Sequence, residues 1–438
     1  MAMKHSLFAA MMCAAMAFSD TLDVTGVGNV TVPSKQQLHT LDLEVISIIH
    51  FGLNTFVDKE WGFGDTSPSV FNPVKFDAKQ WVAAAKAGGI KRIVLVCKHH
   101  DGFCLWPSKL NKDYTVANSP WKDGKGDIVK EVRDATLAAG LEFAAYLSPW
   151  DRHQAEYARP AYVEYFHAQW ADLMDNYGPI TEIWLDGANG GDGWYGGDPG
   201  KRTLPKPAHE YYEFDRLLKA LFEKNPQSVV FGPDSSRSMN WPGNETGFVP
   251  DEYPFVRGGY FRPPECDTPL RKGWFWHKDQ QAKSLQELTT RYFESVGRGG
   301  ILDLGLAPNN EGLLDEGDVV RLKEFGDYIR AYNAVDFAEG AVVQVKKTAE
   351  GTEYNYKLKE AKSFNAVDFR EDITKGMRIK GWKFVVDGHV VAEGKLAGFR
   401  RIARFPQTMA SEVKLVITAC DGEPAVKSLS LRYAPEVP

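Results

Sequence analysis

Cysteine is scarce in this chain of 438 residues. The five, at positions 13, 97, 104, 266 and 420, are too few and too scattered to form a disulfide scaffold, so a packed core must supply the folding energy. No apolar run approaches the ~20 residues that a membrane-spanning helix requires. Positive charge is not in excess: the net charge is −6, and no basic stretch marks a nucleic-acid partner. Several motifs are missing too. No Gly-x-Gly-x-x-Gly turn follows the first apolar strand, no Gly-x-Ser-x-Gly elbow occurs, and there is no His-x-His or His-Glu-x-x-His pair. Dinucleotide, serine-hydrolase and metal-dependent chemistry therefore lack their usual carriers, as does phosphate transfer. Internal repeats and low-complexity tracts are absent as well.

What is present is a globular composition, 43% hydrophobic and 25% charged, long enough for one large domain and a smaller one. Aromatics reach 12%, which suits stacking on sugar faces and equally suits an aromatic core. The first residues follow a different rule. Lys4 and His5 precede an apolar run from Leu7 to Phe18, with small residues around Ala15-Met16-Ala17. Residues 1–19 thus read as a cleaved secretory signal peptide, giving a secreted or periplasmic protein. Lipidation at Cys13 fits less well, because Met11-Met12 precede it.

From residue 45 onward, apolar strands alternate with amphipathic helices. "VISIIHFGL", "RIVLVCKHHDGF", "LEFAAYLSPW", "TEIWLDG", "SVVFGPD" and "GILDLGL" are the strands. Helical stretches such as "FDAKQWVAAAKAGG", with Asp77 as its cap, lie between them. Alternation of this kind means a parallel sheet covered by helices. The length favours a (β/α)8 TIM-type barrel over residues 20–335, irregular where strands six and seven should fall between 235 and 283. Past residue 336 the pattern becomes short alternating strands without helices, an all-β sandwich domain over 336–438.

Barrel enzymes place their chemistry at the C-terminal ends of the strands. Those positions hold His50 with Glu60 and Trp61 beyond it, then His99, His100 and Asp101, then Tyr146 and Trp150, then Trp184 and Asp186. Glu245 follows in "NWPGNETG" and Trp276 in "GWFWH". His99 and His100 are adjacent, so on a regular strand they point to opposite faces and cannot share a metal without a bend. Two carboxylates in an aromatic, histidine-lined cleft are what glycoside hydrolysis needs: one protonates the leaving oxygen while the other attacks or activates water. Asp186, short and fixed at a strand end, suits the nucleophile; Glu245, on a longer arm, suits the acid/base. An Asp-Gly turn and a surface Glu explain the same residues by themselves.

At these positions the chain resembles the glycoside hydrolase family 29 α-L-fucosidases. The likeness runs through "HFGLNTF", "KEWGFGD", "VCKHHDGFCLWPS", "EIWLDGANG", "WPGNETG", "GWFWH" and "GGILDLGLAPNNEGLL", in order. It implies a retaining exo-hydrolase of terminal α-L-fucose on oligosaccharides, needing no metal and no cofactor, with Asp186 as nucleophile. It implies His50, Glu60, Trp61, His99, His100, Tyr146 and Trp184 as fucose-binding residues and Trp276 as a wall under the methyl group. The "G-N-E" motif resembles the branch acting on α-1,3/1,4-linked fucose of Lewis-type glycans and assigns the acid/base to Glu245. Related chains carry an Arg-Trp pair just before this Glu. Here Arg237 and Trp241 are separated, which leaves the binding role of Arg237 open and makes Glu252 and Glu265 alternatives to Glu245. Asp192 and Trp194, in the glycine-rich loop, are candidates for contact with a neighbouring sugar. A fucose-binding protein without catalysis, or an enzyme that also accepts L-galactose, would carry most of these residues too.

Overall fold

A computed structural model describes residues 31–437; the signal peptide expected over 1–19 lies outside them. Eight parallel strands lie side by side: β1 (Val45–Ile49), β2 (Arg92–Lys98), β3 (Glu142–Leu147), β4 (Glu182–Trp184), β5 (Val229–Phe231), β6 (Ser238–Met239), β7 (Glu265–Pro269) and β8 (Ile301–Leu306). Their order is β7-β8-β1-β2-β3-β4-β5-β6. The ends meet through a single parallel bridge between Asn240 and Pro264, which closes the barrel.

Strands six and seven escape pattern reading for a physical reason. β6 has only two residues, too short for any periodicity. β7 reads "ECDTP" because Glu265 and Asp267 are polar yet buried within the barrel. Outer helices follow six of the strands: α1 (Ala78–Ala87) after β1, α2 (Ile128–Ala138) after β2, α3 (Pro160–Tyr177) after β3, α4 (Phe214–Lys224) after β4, α5 (Leu285–Ser295) after β7 and α6 (Glu316–Asn333) after β8. Between β5 and β6 the chain turns without a helix, and from β6 to β7 it runs through a loop and one small hairpin. Asp77 caps α1 by accepting from the amides of Lys79 and Gln80, as its position suggests. The stretch before β5 reads as one helix, but Glu213 adopts φ 50° and breaks it ahead of α4.

Alternate residues of the strands serve two cores. Ile49, Ile93, Leu95, Phe143 and Ile183 pack outward against Trp81, Val132, Trp170, Leu322 and Phe325 of the helices. Ile46, Ile48, Val94, Val96, Ala144, Tyr146, Trp184, Val229 and Phe231 fill the barrel. Near its N-terminal end the interior is charged. Arg92 donates to Glu142 at 2.7 and 2.9 Å and to Glu182 at 3.2 Å, with Thr40 beside it. Glu265 and Asp303 share this space, and burial among other carboxyls raises both well above the ordinary range. One guanidinium cannot balance so many acids, so these two are held protonated.

The C-terminal module is wholly antiparallel: β9 (Val342–Thr348), β10 (Gly351–Glu371), β11 (Ile379–Val386), β12 (His389–Gly394), β13 (Arg401–Cys420) and β14 (Val426–Arg432). The pattern suggests only short strands, but β10 and β13 run for 21 and 20 residues. Register shifts at 357–362 and 364–366 bend them so that one ladder wraps its own core of Phe364, Phe369, Trp382, Phe384, Leu415 and Leu431. Asp387-Gly388, both at positive φ, form the tight β11–β12 turn.

This β-sandwich is bolted to the barrel by a buried charge network. Arg400 donates to Glu44 at 2.5 Å, to Asp368 at 2.6 and 3.0 Å, and to the Tyr292 hydroxyl and the Asn333 side-chain amide oxygen. Breaking a buried pair from one side leaves the remaining charges uncompensated, at a cost of about 3–5 kcal/mol. Arg400→Met is therefore expected to lower unfolding stability by roughly that amount in urea titrations. A loss below about 1 kcal/mol would mean that the two units are held together by something else.

Candidate active site

The C-terminal mouth of the barrel is a histidine and aromatic bowl. His50 leaves β1; its ring lies 5.5 Å from His99, 5.1 Å from Trp274 and 5.4 Å from Phe275. The rings of His99 and His100 are only 4.1 Å apart. Adjacent residues share a face here because β2 ends at Lys98 and the chain turns through both histidines. Trp61, 52% exposed, meets His100 at 5.0 Å and Trp150 at 5.6 Å, edge to face. Among the described residues no three His, Cys, Asp or Glu side chains converge in a way that could hold a metal ion.

Asp186 sits in this bowl two residues past the end of β4. The Tyr146 hydroxyl donates to its Oδ2 at 2.9 Å, and the amide of Ala188 donates to Oδ1 at 2.6 Å. His100 Nε2 lies 3.7 Å from Oδ2. Proton accounting fixes the imidazole. Ser148 gives its one proton to the Trp150 carbonyl and so must accept from His100 Nδ1, 2.7 Å away. That leaves Nε2 of a neutral ring as an acceptor facing the cleft. Burial holds all three histidines neutral, pushing His50 down to about 3 and His99 well below its ordinary value. Nδ1 of His50 and Nδ1 of His99 are buried without a hydrogen-bond partner.

Glu245 stands on the loop that follows β6. Its residue is exposed at the surface of the mouth. Loss of water raises its carboxyl, a hydrogen bond from the Trp274 side chain lowers it, and the charges of Asp186 and Glu60 raise it again. The two carboxylates thus sense each other across one cleft. The alternatives do not face it: Glu252 pairs with Lys395 of the sandwich at 2.6 Å, and Glu265 accepts from the Trp184 indole at 3.0 Å inside the barrel.

The remaining expected residues divide between the bowl and its supports. Glu60 accepts from the amides of Trp274 and Phe275 and from His277, so it ties the "KEWGFG" and "GWFWH" loops together. Any side chain at Gly273 would strike it, since a Cβ there would lie 2.2 Å from its carboxylate. Trp184 is barrel filling, stacked on Phe231 at 4.1 Å. Trp276 turns its indole N–H to Asp315, and it is Phe275 that meets His50 and His99. The side chain of Asp192 is held by Arg152, and Trp194 stacks on His153 at 4.8 Å; both brace the loop that carries Trp61. Arg237 is corrected: it packs on Phe222 of outer helix α4 and donates to the Pro226 carbonyl, outside the cleft, because its backbone pairs with β5 before the chain reaches the mouth. Sequence reasoning passed over Phe275, hidden between the two tryptophans of "GWFWH", and Ser148 and Asp267, which carry no motif of their own.

A family model described as Alpha-L-fucosidase matches residues 33–334. Alpha-L-fucosidase 1 of Arabidopsis thaliana is 32% identical over 91% of this chain and 87% of its own length. A crystal structure of a glycoside hydrolase 29 family member from an unknown rumen bacterium shares 35% identity with a TM-score of 0.87, over 93% of this chain and 78% of that one. A Ruminococcus gnavus GH29 fucosidase in complex with fucose shares 27% with a TM-score of 0.82, over 94% and 98%.

The buried histidines carry a pH prediction. A histidine of ordinary value 6.5 in the unfolded chain and about 3 when folded takes up its proton on unfolding. Stability is therefore complete above pH 6.5 and declines as pH falls toward 3. His50→Asn should flatten that slope by up to one proton in chemical denaturation at stepped pH. An unchanged slope would show that His50 is already charged in the fold.

Proposed function

Because the chain belongs to the α-L-fucosidase family of glycoside hydrolases, we propose that it is a retaining exo-enzyme that removes terminal α-1,3/1,4-linked L-fucose from branched, Lewis-type glycans. The observation that carries this is the pair Asp186 and Glu245: one carboxylate is locked by Tyr146 and Ala188, and the other lies near enough for its proton affinity to respond to the first.

Asp186 attacks the anomeric carbon while Glu245 delivers its proton to the departing oxygen; Glu245 then takes a proton from water as that water releases the sugar from Asp186. The roles fit the electrostatics. Asp186 is held in place by two hydrogen bonds, whereas loss of water raises the Glu245 carboxyl, the direction a proton donor needs. His50, His99 and His100, all neutral, offer ring nitrogens to the hydroxyls of fucose. Trp61, Trp274 and Phe275 supply apolar faces for the pyranose ring and its methyl group. The "WPGNE" loop that carries Glu245 is the feature favouring the α-1,3/1,4 linkage. Residues 1–19 make the protein secreted or periplasmic.

Asp186→Gly should lower turnover on the order of 10⁴-fold or more while the thermal transition stays intact. Glu245→Ala should lose about 10²–10⁴-fold on a glycan, less on para-nitrophenyl α-L-fucoside, and azide should restore turnover with an azido-sugar product. Normal turnover by Asp186→Gly would refute the nucleophile. A linkage panel tests the substrate class: cleavage of Lewis-type trisaccharides ahead of α-1,2- and α-1,6-fucosides is expected, and the reverse order would overturn it. Hydrolysis of none would favour a binding protein, and equal rates on the L-galactoside a broader pocket.

A further inference from the structure

A third carboxyl lies at this site. Asp267, on β7, is buried among the barrel strands, and its Oδ1 accepts from the indole N–H of Trp241 at 2.8 Å. Trp241 is four positions ahead of Glu245, in a connection that contains no helix of its own. Its backbone neighbour is fixed at the barrel seam: the amide of Asn240 donates to the Pro263 carbonyl, and the amide of Glu265 donates to the Asn240 carbonyl. The Trp241–Asp267 bond is therefore the last side-chain tether before the chain reaches Glu245.

We infer that Asp267 is a positioning residue for acid/base catalysis, holding Glu245 over the leaving oxygen through Trp241. The inference rests on Glu245 being the acid/base. Burial, reinforced by the charges of Glu245 and Asp186, pushes the Asp267 carboxyl up to about 8, so it anchors the loop without adding a further negative charge to the cleft. Loop position matters most where proton donation matters most. A misplaced acid slows departure of a sugar alkoxide, which needs the proton, far more than departure of a nitrophenolate, which barely does.

The test compares a Lewis-type trisaccharide with para-nitrophenyl α-L-fucoside for Asp267→Ala, Asp267→Asn and Trp241→Phe, with Glu245→Ala as the reference. Expected are a fall in kcat of about 30–100-fold on the trisaccharide for Asp267→Ala and Trp241→Phe, with a fall below about 5-fold on the nitrophenyl fucoside. Asp267→Asn, which keeps a neutral acceptor for the indole, should stay within about 5-fold on both. Equal losses on both substrates, no loss on either, or an Asn variant as impaired as Ala would overturn the inference. Trp241→Phe alone decides it should Asp267→Ala fail to fold. If Glu245→Ala shows no dependence on the leaving group, the acid/base assignment itself fails; if it does and the Asp267 and Trp241 variants do not, only the positioning role fails.

Discussion

A single parallel bridge, Asn240 with Pro264, completes the ring of strands, and the geometry of the cleft depends on it. Without closure, β6 would be the edge of an open sheet and the start of the loop carrying Glu245 would lose its seam contacts. With it, that loop emerges beside β7, two strands along the barrel from β4, which carries Asp186. The seam is also the least regular part of the barrel: β6 is two residues long, and no helix covers the connections on either side of it. Regular packing against helices holds the other strands. Here individual polar contacts do so, the amides of Asn240 and Glu265 and the indole of Trp241.

The barrel interior is graded in polarity. At the N-terminal end Arg92 gathers Glu142 and Glu182, while Glu265 and Asp303 stay protonated for want of a second cation. A layer of apolar and aromatic residues follows, including Trp184 on Phe231. Above it lie the neutral histidines, with Nδ1 of His50 and of His99 buried and unpartnered. Desolvation by this apolar layer is what keeps imidazoles uncharged beside Asp186, so that they can meet hydroxyl groups rather than compete for the nucleophile's charge.

The C-terminal module contributes through attachment. Arg400 lies between Glu44, which immediately precedes β1, and Asp368 of the sandwich, with α5 and α6 supplying Tyr292 and Asn333. Glu252 and Asp251, in the loop that follows Glu245, pair with Lys395 and Arg401 of the sandwich. The module therefore steadies the segment that follows Glu245.

Much of this was legible in sequence, and the exceptions share a cause. Long apolar strands and capped helices announce themselves because burial imposes a period on contiguous residues; the barrel, its outer helices and the start of the β-sandwich follow from that. Asp186, Glu245 and the histidines could be picked out because each ends a strand or sits in a motif. Tertiary structure alone decided that His99 and His100 share a face, since a turn replaces the strand there, and that Arg237 points away while Phe275 points in. It alone brought Asp267 beneath Trp241, residues 26 positions apart joined only by closure of the ring. Periodicity is local and the chain states it directly; contact across a barrel depends on where distant strands meet, and that is settled only when the sheet closes.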